Sequence, residues 1–430
     1  MNNERIAFGK RLLQHFEFHP EYRNLNHGSF GAAPRDIRKH MKHHQDLCEA
    51  MPDSYIRYEY PIVLDECRAA MATLVKAPTD AIVFVSNATT GVNVVLRNLL
   101  WNEDGRDEIL YFSTIYGGCA KVIDYIVDAN LGKVSSWPVN ISYPCEDEDI
   151  VHAFHSALDS IKRADKRARV CVFDVVSSLP GVCFPFEAIT KACRNAGILS
   201  LVDGAQGVGM VELDLESLDP DFFVSNCHKW LFVPRSCAVF YVPLRNQHLI
   251  TSAMPTSHGY VSKSGSRFNP LPPSSKSPFI NNFEFVGTLD TSPHVCVKEA
   301  IEWRERVLGG EAKIMEYTHM LAQEGGKAVA RILGTEVLDN ESRTMSRCAM
   351  TNVALPIHVS VASISTQDWM MRTMVKEYKT FIALIIHAGQ LWARLSAQVY
   401  LDLEDFEWAG HMLLQLCERV KGGESSKVPV

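Results

Sequence analysis

The chain has 430 residues, 47% of them apolar and 22% charged. That mixture builds a sizeable core and excludes a disordered, collagen-like or coiled-coil protein. Acidic residues outnumber basic ones 50 to 43, giving a formal charge of −7; this lacks the basic footprint that nucleic-acid binding requires, so no nucleic-acid partner is expected.

In chain order, the opening MNNERIAFGKRLLQHF has no unbroken apolar run of the kind a secretory signal carries. No later apolar stretch approaches a membrane-spanning length, so no membrane partner is expected. The 12 cysteines are scattered without a CxxC pair, which points to reduced thiols and a cytoplasmic location. KHMKHH at 39–44 reads as a solvated helix face carrying His40, His43 and His44. His152 and His155 have no partners spaced as ligands, so no metal is expected.

From residue 81 onward, short apolar runs alternate with helical patterns. AIVFVS (81–86) precedes a helix marked by Val92, Val95, Leu96 and Leu99. EILYFS (108–113) precedes another, and CEDEDI (145–150) reads as an acidic loop or helix start. RARVCVFDVV (167–176) is followed by a helix at about 186–196, and GILSLVD (197–203) meets the glycine-rich GAQGVG. PDFFVSNCHKWLF and CAVFYVP add two more short runs. Strands bounded by helices at this spacing predict an α/β protein with a mostly parallel sheet. The stretch 255–282, rich in Ser, Pro and Gly, reads as a long loop. After residue 296 two long helices split at Gly309–Gly310, then a helix near 366–378, FIALIIH, LWARLSAQVYL and a terminal helix predict a smaller α+β module. The expected division is an arm at 1–30, a large domain at 31–295 and a small domain at 296–430.

Asp203 closes the run ILSLV, Gln206 follows in the turn, and Lys229 follows the next run, FFVS, directly after His228. Ligands of open α/β sheets sit at the carboxyl ends of the strands, so Asp203 and Lys229 share one crevice. This pair suits pyridoxal phosphate: a lysine amine to bind the aldehyde and a carboxylate to keep the pyridine nitrogen protonated. Each residue alone has a blander reading, Asp203 as a turn residue before Gly204 and Lys229 as a surface amine. GAQGVG is G-x-x-G-x-G, not the dinucleotide fingerprint G-x-G-x-x-G, so a nicotinamide enzyme is the weaker reading.

LVDGAQGVG…DFFVSNCHKWLFVPRSCAVFYV, with LNHGSFGAAP, SNATTGVN, FEFVGTLDTSP and WARLSAQVYL, resembles the class-V aminotransferase superfamily of fold type I pyridoxal phosphate enzymes over nearly the whole chain. Within it the chain is most similar to the fungal hercynylcysteine sulfoxide lyases and also resembles the loline-pathway cyclases and isopenicillin N epimerases. The resemblance implies a large domain on a mostly parallel, seven-stranded sheet flanked by helices. It implies β-elimination from a cysteine sulfoxide conjugate, with a bond-forming cyclase, an epimerase or a cysteine desulfurase as alternatives.

It also assigns roles. Thr89 and Thr90 open a helix and would hold the cofactor phosphate, with Asn226 and His228 beside them. Gln206 would reach the phenolic oxygen. Tyr116 would stack on the ring or act as acid or base near the leaving group, and Thr288 would reach the phosphate of a second subunit, making a homodimer with a shared site. Arg394 would clamp the substrate carboxylate, with Asn26 and His27 in a segment covering the site. VSSWPVN, carrying Trp137 and Pro138, and IIHAGQLWARLS depart from the lyase pattern where substrate selection is expected.

Overall fold

The computed structural model describes residues 8–265, 267–358 and 360–427. Its centre is a seven-stranded sheet: β1 Ile82–Val85, β2 Asp107–Phe112, β3 Val134–Val139, β4 Arg167–Asp174, β5 Leu199–Asp203, β6 Phe222–Asn226 and β7 Ala238–Tyr241, in the order β1-β7-β6-β5-β4-β2-β3. Only β7 runs against the rest; it pairs antiparallel with both β1 and β6, while β2 to β6 pair in parallel. Six carboxyl ends therefore face one edge.

Side chains alternate across each strand. Val170 and Val172 of β4, Leu201 of β5, and Phe222 and Val224 of β6 join one core with the helices Ala88–Asn98 and Gly117–Ala129. Cys171, Phe173, Val202 and Phe223 enter a second core on the opposite face. Burial on both faces explains why these strands read as unbroken apolar runs. Carrying the alternation to the carboxyl edge places Asp174, Asp203 and Asn226 on the first face, and Asp174 is the register partner of Asp203.

A smaller antiparallel sheet follows: β8 Met350–Ala354, β9 Ala383–His387 and β10 Gln390–Ser396, with β10 in the middle. Helices Glu311–Leu333 and Leu403–Lys421 pack beside it. Gly309 and Gly310, at φ +83° and +94°, part the preceding helical segment from the long helix as the sequence predicts. The acidic start at 146–149 is a capping box joining Glu146 and Asp149 at the head of helix Asp147–Arg163. The helix expected at 186–196 is Phe186–Ala196.

Three expectations need correction. His44 is 7% exposed and its Nδ1 lies 2.8 Å from the Tyr55 hydroxyl, so the KHMKHH helix buries a face that its flanking lysines conceal. The loop read as 255–282 stops short, because Ser277 caps the helix Pro278–Glu284, which buries Phe279, Ile280 and Phe283. Trp137 and Pro138 lie on the edge strand β3 and do not line the central cavity described below, so they do not contact a molecule held there.

Candidate active site

The carboxyl edge opens into a cavity of about 660 Å³, within the size range of small-molecule sites. Asp174, Asp203, Lys229, Arg394, Tyr116 and the head of helix Ala88–Asn98 all line it. Asp203 is 2% exposed; its Oδ1 accepts the Ala205 amide at 2.9 Å, and the Cys119 thiol donates to Oδ2 at 3.3 Å. Lys229 lies in the turn after β6, and its amine has no hydrogen-bond or ion-pair partner among the described residues. Burial, with help from the positive Arg394, lowers its pKa to about 8, against the pull of Asp203 and Asp174.

Helix Ala88–Asn98 points its amino end into the same space. Asn226 Oδ1 accepts the Ala88 amide at 2.9 Å, and Asn87 Oδ1 accepts the Thr90 amide at 2.8 Å and the Thr90 hydroxyl at 3.1 Å. The Thr89 amide and hydroxyl have no acceptor among the described residues. A free amide and hydroxyl at a helix amino end suit a phosphate. Asn226 thus spends its oxygen on the helix and keeps its Nδ2 hydrogens. His228 Nδ1 lies 3.0 Å from the Cys237 carbonyl, and burial lowers its pKa to about 4, so the ring is neutral and donates from Nδ1.

The segment Asn26–Gly31 forms the opposite wall. Ser29 and Phe30 line the cavity, whereas Asn26 and His27 do not. Asn26 Oδ1 accepts Arg394 Nη2 at 2.7 Å, so Asn26 orients the arginine. His27 is fully buried; its Nε2 sits 2.8 Å from the Lys229 carbonyl and its Nδ1 2.9 Å from the Tyr400 hydroxyl. Both side chains thus lie behind the cavity wall, bonded to Arg394 and to the lysine turn. Gln206 is pinned at both ends, donating to Gly28 O at 2.8 Å and accepting from Trp230 Nε1 at 2.7 Å, with one N–H to spare.

Arg394 reaches in from β10, paired there with Asn352 and Ala383. It is 1% exposed, donates to Ser178 O at 2.6 Å and Ser29 Oγ at 2.8 Å, and has no salt bridge among the described residues. Its Nε has no partner, and burial draws its pKa down to about 10. A buried cation without a counter-ion, beside a cavity, is suited to an incoming carboxylate. Tyr116 caps the helix Gly117–Ala129 at the cavity mouth and is 52% exposed. Thr288 is exposed and does not line this cavity.

The class-V aminotransferase family profile matches residues 57–372. The chain belongs to that family. It is 38% identical to an L-cysteine desulfhydrase-like protein of Epichloe uncinata, over 99% of each chain. It is 31% identical to the hercynylcysteine sulfoxide lyase of Schizosaccharomyces pombe, over 96% of this chain and 99% of that protein. A solved cystine C–S lyase in complex with cysteine persulfide shares the fold, with a TM-score of 0.72 at 17% identity and coverage of 95% of this chain and 99% of that one.

The cofactor of this class-V enzyme is pyridoxal phosphate, and the residues fit it. Lys229 offers an unpaired amine, Asp203 a buried carboxylate, and Thr89 an unclaimed amide and hydroxyl at a helix end. Sequence reasoning missed Asp174, although RVCVFD carries the same signal, an apolar strand closed by an acid, that singled out Asp203. The family profile stops short of Arg394 and begins after Asn26–Gly31, so these walls come from outside the matched stretch.

Proposed function

We propose that the protein is a pyridoxal-phosphate-dependent carbon–sulfur lyase that acts on a cysteine sulfoxide conjugate by β-elimination. The observation that carries this reading is the salt-bridge-free Arg394 guanidinium and the free Lys229 amine lining one cavity, a pairing suited to the carboxylate and α-carbon of an amino acid. Two relatives support the carbon–sulfur reading by their names, the L-cysteine desulfhydrase-like protein at 38% identity and the hercynylcysteine sulfoxide lyase at 31%.

Bound pyridoxal phosphate supplies an electron sink for charge developing at the substrate α-carbon. Arg394 holds the carboxylate, and Asn26 and Ser29 keep the guanidinium oriented. Lys229, with a pKa near the working range, takes the α-proton. The C–S bond then breaks with its electron pair passing to sulfur, and Tyr116 at the mouth is placed to supply the proton that makes the sulfenic acid. The three-carbon remainder takes up water and leaves as pyruvate and ammonia.

The same reading makes the protein a homodimer. In that homodimer Thr288, which is exposed and lies outside this chain's cavity, serves the partner's site. All twelve cysteines are free, which suits a reducing, cytoplasmic setting. The test is product analysis with a cysteine sulfoxide conjugate: pyruvate and ammonia in equal amounts support the lyase. Substrate consumption without pyruvate replaces it with a bond-forming cyclase.

A further inference from the structure

We propose that Asp174 is a second acid of the site, a carboxyl that keeps its proton and donates it in a hydrogen bond to the molecule held at Lys229. The inference rests on the reading that the cavity holds pyridoxal phosphate.

Asp174 and Asp203 end neighbouring parallel strands as register partners, on the same face of the sheet. Adjacent strands lie about 4.8 Å apart. Both side chains line the cavity, and both are almost wholly buried, at 7% and 2% exposure. Two carboxylates so close, with little water, do not both ionise; one holds a proton.

Their partners decide which one. Asp203 receives the Ala205 amide and the Cys119 thiol. Burial and the neighbouring acid push the thiol pKa far up, so Cys119 keeps its hydrogen and donates it. Burial raises the Asp203 pKa as well, but these two donors and Lys229 oppose it and favour the charged form. Asp174 accepts no hydrogen bond from any described residue, and burial together with the Asp203 charge raises its pKa well above the carboxylate range.

Four titratable groups face Asp174: Asp203 on β5, Lys229 after β6, Cys119 on helix Gly117–Ala129, and Tyr143 beyond β3. Burial holds the Tyr143 phenol neutral. Lys229 alone favours an ionised Asp174, and it divides that influence with Asp203. A carboxyl kept neutral in a buried site acts as a hydrogen-bond donor to an electron-rich oxygen, whereas its anion repels such an oxygen.

Infrared spectra of the full chain, with and without pyridoxal phosphate, read the proton directly. The wild type is expected to show a protonated-carboxyl band at neutral pH that Asp174→Asn removes, and Cys119→Ala is expected to shift that band to a new frequency by moving the proton to Asp203. A band that survives unchanged in Asp174→Asn overturns the assignment. Equilibrium dialysis supplies the second arm. Asp174→Asn, which retains a donor, should bind pyridoxal phosphate within about threefold of wild type, and Asp174→Ala at least tenfold more weakly. Wild-type affinity in Asp174→Ala, with its fold checked by circular dichroism, overturns the donor role. A wild type that binds no pyridoxal phosphate defeats the cofactor reading, while the infrared arm on the cofactor-free chain still decides where the proton resides.

Discussion

The imidazole of His27 joins the Lys229 carbonyl, 2.8 Å from Nε2, to the Tyr400 hydroxyl, 2.9 Å from Nδ1. Burial lowers its pKa to about 4, so the ring is neutral, with Nε2 donating and Nδ1 accepting. The backbone of the lysine turn is thereby tied to the first wall of the site and to the residues following β10. His27→Ala leaves both partners buried without this bond, a cost of about 1–3 kcal/mol. The expected result is a lowered melting temperature and a kcat loss larger than any change in KM, with His27→Gln recovering part of both. Equal melting temperatures for wild type and His27→Ala would remove the positioning role.

Lys229 sets a pH dependence. Its amine is depressed from 10.5 to about 8 in the fold, so it is mostly neutral, and nucleophilic, only above about pH 8. Capture of pyridoxal phosphate by the cofactor-free protein should accelerate with pH and level off past that point. The same shift means that between pH 8 and 10.5 the unfolded chain binds more protons, so this group makes stability rise with pH across that window. Below pH 8 the cost of burying the charged amine is fully present, and cofactor-free Lys229→Met should melt higher than the wild type there. A lower melting point in that variant would show that the amine is not strained by burial.

Arg394 tests the carboxylate clamp. Lysine cannot reproduce the planar fork that meets Ser178 O, Asn26 Oδ1 and Ser29 Oγ. Losing a charge-assisted, two-pronged contact of about 2–3 kcal/mol raises KM for the amino acid by roughly 10²-fold. Binding of pyridoxal phosphate should be spared. Steady-state kinetics and cofactor titration on Arg394→Lys separate the two, and unchanged KM would move the clamp elsewhere.

Gly31 fixes the wall that carries Ser29 and Phe30. It adopts φ +64°, and a Cβ built there would overlap the carbonyl of His228. Arg235 also binds the carbonyls of Phe30 and Gly31, each at 3.1 Å. Gly31→Ala should therefore lower the melting temperature and raise KM together, because the wall must move away from the lysine turn. A variant indistinguishable from wild type in both would show the contact to be soft.

The sequence made the sheet legible where strands are buried on both faces, because RVCVF, ILSLV and FFV are continuous apolar runs. β3 was missed because VSSWPV is polar and contains proline, which an edge strand tolerates. Asp203 and Lys229 were found from strand ends and one shared crevice, and the structure places both on its wall. His44 was misread, and the bonds of His27 and Asn26 were not foreseen, for a common reason: their partners, Tyr55, Lys229 O and Arg394, are set by tertiary packing that local spacing does not encode. Asp174 was visible in principle, yet its meaning depends on the β4–β5 register, which appears only once the strands are paired.

Borohydride reduction of the protein loaded with pyridoxal phosphate, followed by peptide mass mapping, tests the assignment of the cofactor-bearing amine. The cofactor mass should be fixed to the peptide containing Lys229 and be absent from Lys229→Ala. A label on another lysine, or none on a fully loaded wild type, would contradict it.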